Sequence, residues 1–204
     1  MMTQLRHAAC QLAAVSVRYR HTLRWIGGDG FSLIELQFAL AVTAVIAAMT
    51  VFSIQAAAPW ARGNAVMDQV MGAFRVARET AITQRRPIDI VFVPPGEIRL
   101  IRNELTGDTT QIGRVVLEHG GQFMSGLPDT PDQFGASGAV DFGGANVVRF
   151  LEDGTFADGA GVPVNGTVYL GIPNFALSNR AITITGGTGR PQGYAWSGTR
   201  WEEQ

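Results

Sequence analysis

Hydrophobic positions follow three different patterns along the chain. Residues 36–54 form an almost unbroken apolar run, and as a helix these nineteen residues would measure about 28 Å, close to the hydrocarbon thickness of a bilayer. Between Val66 and Ile82, apolar residues recur every three or four positions, which predicts an amphipathic helix. From Ile88 onward, short apolar or alternating runs separated by glycine and proline predict strands.

These patterns predict an α+β chain in which one long N-terminal helix packs on an antiparallel β-sheet head. We expect residues 31–58 to form the transmembrane or filament-core half of the helix and residues 59–87 to form the amphipathic half. Pro59 and Gly63 are the expected positions of a kink, and Pro87 is the expected end of the helix. The β-rich head is predicted over residues 88–204.

The strand predictions within the head rest on short β-rich segments. A hairpin is predicted from residues 88–93 and 97–102, joined by the turn Pro94-Pro95-Gly96. The other predicted strands are residues 115–117, 147–151, 167–172 and 181–185. Residues 120–144 are rich in Gly, Pro, Asp and Ser, so we expect a long exposed loop there. Residues 186–190 are expected to form a β-turn.

Charge on the N-terminal side of the apolar run sets the expected orientation. Residues 1–30 contain Arg6, Arg18, Arg20 and Arg24 against one acid, Asp29. Basic residues stay in the cytoplasm, so the rest of the chain would be exported to the periplasm or its equivalent. The remaining residues carry 12 basic and 16 acidic side chains, a net charge of −4. That balance gives no overall electrostatic attraction to nucleic acid.

A carboxylate, Glu35, stands at the edge of the apolar run. Placing it in a membrane costs about 2 to 3 kcal/mol unless a positive group neutralises it. A Sec signal peptide would have a shorter apolar region than this one. A plain signal anchor fits the length of the run but gives no reason for an acid there. We therefore expect a positively charged partner for Glu35.

Residues 30–36 read Gly-Phe-Ser-Leu-Ile-Glu-Leu, which resembles the type III signal shared by type IV pilins and the pseudopilins of type II secretion. The resemblance implies that residues 1–30 are a leader, removed by a membrane aspartyl prepilin peptidase that cuts after Gly30 on the cytoplasmic side. It also implies N-methylation of the new amine of Phe31. That amine is the expected partner of Glu35, within one subunit or between neighbours, and their pairing would set the axial register of a filament.

Three less specific motifs indicate which members of this family the chain resembles most. The sequences of residues 85–88, 150–156 and 180–190 resemble the H-type (GspH-like) minor pseudopilins of type II secretion and their FimT-like pilus relatives. This implies a pilin-like structural subunit that initiates a periplasmic pseudopilus near its tip, held in the inner membrane by a single pass. The implied partners are other pseudopilins or pilins through the N-terminal helix, prepilin peptidase, the inner-membrane assembly platform and membrane lipid. No cofactor is implied.

The FimT-like relatives supply an alternative, a minor pilin that binds DNA for uptake. The candidate contacts would be arginines that bind phosphate and aromatic rings that stack on bases. These candidates are Arg180, Arg190 and Arg200, with Tyr194, Trp196 and Trp201. We expect them instead to be surface charges and edge-strand aromatics, so nucleic acid is not an expected partner.

A third alternative, a membrane-anchored periplasmic enzyme, has no site to support it. Removal of the leader would leave His119 as the remaining histidine, so we expect no His-based nucleophile and no metal cluster. Loop acids leave a calcium site open, although solvated acids account for them equally well. These acids are Asp129, Asp132, Asp141, Glu152, Asp153 and Asp158. We therefore expect no enzymatic activity.

Overall fold

The computed structural model describes residues 31–135, 138–145 and 147–204, without the side chains of residues 52–57. The predicted leader lies outside these residues. Within them, the helix α1 (Leu33–Gln84) is followed by eleven strands. The strands are β1 (Ile88–Val93), β2 (Glu97–Asn103), β3 (Thr109–Val116), β4 (Gln122–Phe123), β5 (Val140–Asp141), β6 (Val148–Phe150), β7 (Phe156–Asp158), β8 (Gly166–Ile172), β9 (Phe175–Thr185), β10 (Arg190–Trp196) and β11 (Trp201–Glu203).

The helix α1 belongs to two compact units of the chain, Met1–Ile46 and Ala47–Gln204. It begins where the Ser32 carbonyl accepts hydrogen bonds from the amides of Glu35 and Leu36. It ends at Gln84 because Arg85 adopts a left-handed conformation with φ of 51°. The Arg86 amide then donates to the Ala81 carbonyl, which closes a Schellman motif. The helix therefore stops before Pro87, slightly earlier than the sequence predicted.

Gly63 has a packing role in α1, which continues through both Pro59 and Gly63. A Cβ atom built on Gly63 would lie 2.5 Å from the Ser178 carbonyl oxygen of β9. Only glycine allows the helix backbone to approach the strand backbone this closely. Gly63 thus marks a close approach between the backbones of α1 and β9.

The strands form two antiparallel sheets. Sheet A has the order β3-β2-β1-β6-β7, and sheet B has the order β11-β10-β9-β8-β4, with β5 also paired to β8. The β1–β2 hairpin pairs Ile88 with Arg102 and Val93 with Glu97, as the sequence predicted. Helix α1 and both sheets contribute side chains to one hydrophobic core. This confirms the predicted α+β class with a helix on antiparallel sheet.

The core explains the apolar periodicity of the second half of α1. Val70, Phe74, Ala77 and Ala81 are fully buried, whereas Ile82 stays partly exposed at the edge of the stripe. Phe74 contacts the ring of Phe156 edge-to-face, with centroids 6.5 Å apart. Helix side chains and sheet side chains therefore interdigitate, which is what holds α1 to the head.

Part of the predicted exposed loop is instead structured, which corrects that prediction. Residues 120–144 contain β4 and β5, which both pair with β8. Thr130 is buried in the same segment. The pairing was missed because each strand has only two residues and lies between turn-forming residues. β7, β10 and β11 were not predicted as strands either.

Candidate functional site

The first part of α1 presents apolar side chains on all sides. Residues Leu33–Val51 are long and apolar enough to cross a membrane, and none of the most apolar stretch is buried within the protein. Leu33 is 75% exposed and Phe38 is 73% exposed. A helix that is apolar all round is stable only in lipid or against other helices. This surface therefore requires a partner outside the described chain.

Glu35 lies in the first turn of α1 and is exposed. The N-terminal end of a helix carries partial positive charge, which favours a carboxylate at this position. Phe31 precedes the helix and is 80% exposed, whereas Gly30 lies outside the described residues. Cleavage after Gly30, methylation of Phe31 and the register role of Glu35 remain predictions.

Arg180 is buried, so the expectation that it is a surface charge is wrong, and its side chain is not exposed for the alternative role in nucleic-acid contact. Its side chain is fully buried between β9 and α1. Nε donates to Asn64 Oδ1 at 2.8 Å and Nη2 donates to the Trp60 carbonyl at 2.9 Å. Nη1 donates to the carbonyls of Leu177 and Asn179 at 2.9 and 2.7 Å. Burial without a carboxylate among these partners lowers the pKa of Arg180.

The contacts of Arg180 tie the sheet to one turn of the helix. The guanidinium carbon lies 5.6 Å from the centre of the Trp60 ring, a cation–π arrangement. Two of its hydrogen bonds reach α1 and two close on its own strand. Arg180 therefore links β9 to α1 next to the close backbone approach at Gly63. We call Arg180 and its four hydrogen bonds the clamp.

Arg190 lies in a different place, a groove of about 870 Å³ between α1 and the β9–β10 turn. The groove also receives Arg75 and Arg78 from α1, together with one acid, Glu79. Arg78 Nε donates to the Gly154 carbonyl at 3.2 Å, which fixes its side chain along the wall. The proximity of Arg75 and Arg78 to Arg190 follows only from the three-dimensional packing, because the helix and β10 are far apart in the sequence.

Arg200 and the aromatic residues do not join this groove. Arg200 lies in the turn between β10 and β11, is exposed, and pairs with Glu202 at 3.3 Å. Tyr194 and Trp201 are each only 8% exposed, and Trp201 Nε1 donates to the Pro128 carbonyl. Their rings belong to a small second core, so they are not available for base stacking.

The loop acids mostly accept hydrogen bonds from nearby backbone amides. Asp129 Oδ1 accepts from the amides of Thr130 and Gly135, and Asp158 Oδ1 accepts from two amides of its own turn. Tyr169 donates to the Gly135 carbonyl at 3.0 Å, and burial raises the pKa of Tyr169 to about 12. Among the described residues, no three His, Cys, Asp or Glu side chains are grouped to hold a metal ion.

Together these features define a chain whose helix has an uncovered apolar first part and whose second part is the spine of an antiparallel β head. No protein-family model and no curated protein matches the chain. Among solved structures, the type IV minor pilin FimU of Pseudomonas aeruginosa PAO1 is similar at 12% identity and a TM-score of 0.45, covering 73% of this chain and 96% of that chain. The minor pseudopilin EpsH from the type 2 secretion system of Vibrio cholerae is similar at 8% identity and a TM-score of 0.32, covering 69% and 95%. Neither similarity assigns a function to this chain.

Proposed function

We propose that this chain is a minor pseudopilin, a structural subunit of the periplasmic pseudopilus of type II secretion. It would be made as a precursor, cut after Gly30 by prepilin peptidase and methylated at Phe31. The inner membrane would hold it by residues 31–58 before it joins other pseudopilins near the filament tip. The observation that carries the proposal is the heptapeptide of residues 30–36 at the start of an uncovered apolar helix.

The exposed surface of α1 supports this role. An apolar helix that passes from lipid to a bundle of identical or related helices exchanges one apolar environment for another. The head needs no rearrangement for that exchange because its own core is complete without residues 31–51. The assembly platform and the prepilin peptidase would act on the membrane-embedded end, and the head would stay in the periplasm.

Glu35 is the residue that we propose sets the axial position of each subunit in the filament. After cleavage, Phe31 carries a positive amine four residues before the carboxylate. In the apolar interior of a filament, an unpaired charge is costly, so neighbouring helices would adopt the stagger that brings the amine and the carboxylate together. The charge pair would thus fix the axial register of the subunits.

A Glu35→Gln variant tests the proposal in the native host. It keeps the size of the side chain and removes its charge. We expect processing of the precursor to continue and incorporation into filaments to fall about thirtyfold or more, the equivalent of 2 kcal/mol or more for one unpaired charge. Gln37→Ala changes a neighbouring polar residue without changing charge and should assemble normally. Normal assembly of Glu35→Gln would refute the register role.

A second candidate function, DNA binding by a FimT-like minor pilin, is favoured by one observation. Arg190 shares its groove with Arg75 and Arg78, which gives three cations against Glu79. Such a groove suits a phosphate backbone. If DNA binds there, Arg190→Ala should weaken the binding of the full chain to duplex DNA, and Arg200→Ala, outside the groove, should not. Equal behaviour of the two variants would exclude the groove as the binding site.

The genomic neighbourhood distinguishes the two systems. Genes for a secretion ATPase, an outer-membrane secretin and other pseudopilins would support the pseudopilus. Competence genes would support DNA uptake. A deletion strain that loses protein secretion but keeps transformation would favour the first function, and the reverse phenotype would favour the second.

A further inference from the structure

Exposed apolar side chains gather at one end of sheet B. Trp60 of α1 is 50% exposed, and Phe175 and Leu177 at the start of β9 are 47% and 50% exposed. Arg180 fixes the backbone at two of them, because it donates hydrogen bonds to the Trp60 carbonyl and to the Leu177 carbonyl. These three large apolar side chains are only half buried, so packing in the core of the head does not explain why they are apolar.

Two turns complete this end of the sheet. β8 and β9 are joined by Pro173 and Asn174, and Asn174 has a positive φ of 69°, as a tight turn requires. The β10–β11 turn lies beside it, since a Cβ atom on Gly198 would be 3.9 Å from Leu177 Cδ2. Both turns therefore project from the same edge. We call the surface of Trp60, residues 173–177 and residues 197–200 the foot.

The foot lies on the side of the β9–α1 contact that leads back along α1 to Ala47, where this compact unit begins. Ser178 of β9 packs on Gly63, and Gly193, which pairs with Ile182 of β9, lies against Met67. β9 and α1 therefore run in the same direction. Phe175 stands three residues before Ser178, about 10 Å at 3.3 Å per residue. Because these two contacts advance four residues on each element, Phe175 is level with about residue 60 of the helix, beside Trp60.

The apolar segment ends close to that level. Taken to end at Val51, as the candidate span does, it lies about 14 Å before the level of Trp60, and taken to end at Ile54 it lies about 9 Å before it. The headgroup layer of a bilayer extends about 5 to 8 Å beyond the hydrocarbon core. A head anchored by α1 would thus bring the foot to the outer edge of the headgroups, and the side chain of Trp60 would reach towards them because helical side chains tilt towards the N-terminus of the helix.

We propose that the foot is a membrane-contacting surface, which inserts Trp60, Phe175 and Leu177 among the lipid headgroups. This rests on the membrane anchorage in the proposed function. Aromatic rings and arginines together are the side chains favoured at this depth. Arg200 in the β10–β11 turn is exposed and pairs with Glu202. The foot would hold the head at one height before assembly.

Depth measurements on the full chain in vesicles containing anionic phospholipid test this directly. Cys10 is the single cysteine, so a Cys10→Ser background allows one fluorescent NBD label at a chosen position. The test position is Phe175→Cys, with Leu177→Cys as a second label on the same surface. Leu105→Cys is the matched control, because Leu105 is 88% exposed and lies in the β2–β3 turn near the other end of α1. Ala41→Cys reports on the span itself.

Quenching by lipids that carry a nitroxide near the headgroup should be at least twofold stronger at residues 175 and 177 than at residue 105. Strong quenching at residue 41 with equal quenching at residues 175, 177 and 105 would refute membrane contact by the foot. It would leave the proposal of a membrane anchor in α1 intact. Shielding of residue 175 from solvent without lipid quenching would identify a protein partner and also refute membrane contact by the foot. Absence of quenching at residue 41 would refute the membrane anchor and the foot together.

Discussion

Replacing two glycines of α1 by alanine should change the stability of the protein in opposite directions. Gly63 faces the Ser178 carbonyl, and a Cβ atom there would lie 2.5 Å from its oxygen. Gly72, nine residues further along the same helix, would place a Cβ atom with no heavy atom within 4 Å. Alanine at each site makes the same chemical change in the same helix. The difference between the two variants therefore isolates the close packing of helix on strand.

The expected magnitudes follow from the geometry. Alanine favours a helix by about 1 kcal/mol over glycine, so Gly72→Ala should raise the free energy of unfolding by about that amount. At Gly63 an ordinary contact of 3.4 Å requires the two backbones to separate by about 0.9 Å. The contacted oxygen belongs to the backbone and has no rotamer to change. An overpacking cost of about 3 kcal/mol leaves Gly63→Ala about 2 kcal/mol less stable than the wild type.

Urea unfolding of the full chain in detergent micelles measures this difference. Tryptophan fluorescence follows the head, because Trp201 is buried within it. Linear extrapolation then gives the free energy of unfolding of each variant. The two variants should differ by about 3 kcal/mol, with the wild type between them. If Gly63→Ala were as stable as Gly72→Ala, the close approach of α1 to β9 would not exist in solution.

Two further substitutions test the clamp and the outer edge of sheet A. Arg180→Ala should cost about 2 to 4 kcal/mol in urea unfolding, because it removes a fully buried side chain and its four hydrogen bonds, one of them buried and three part-buried. Glu97→Gln tests a carboxylate whose pKa is lowered from 4.5 to about 2 by hydrogen bonds from Arg114 and Arg99. A depressed folded pKa gives stability that is present above pH 4.5 and lost as the pH falls towards 2. The variant should therefore melt lower than the wild type at pH 7, and the two melting temperatures should converge near pH 2; a constant difference would contradict the assigned ion pairing.

Local patterns made most of the fold predictable. The buried stripe of α1 depends on 3.6-residue periodicity, and the β1–β2 hairpin depends on a turn between two β-rich runs, so both were visible in the sequence. β10 was not, because Gln192 and Gly193 break the apolar pattern. A Cβ atom on Gly193 would lie 3.0 Å from Met67 Sδ, so the glycine makes a close contact with a residue far away in the chain, which local patterns do not indicate.

The candidate functional residues were also predictable only where they depend on local sequence. Glu35 and the apolar run are neighbours in the sequence, so their combination was predictable. The burial of Arg180 was not, because its partners Trp60 and Asn64 lie more than a hundred residues earlier. Strand alternation alone does not indicate that a charged residue closes the gap between a sheet and a helix. The grouping of arginines around Arg190 depended equally on packing.

The mass of the mature protein tests the central proposal most directly. Intact mass spectrometry and N-terminal fragmentation of the chain purified from its native host should give a first residue of Phe31, one methyl group on its amine and no trace of residues 1–30. A mature chain that begins at any other residue, or that keeps residues 1–30, would contradict processing by prepilin peptidase and leave Glu35 without its proposed partner.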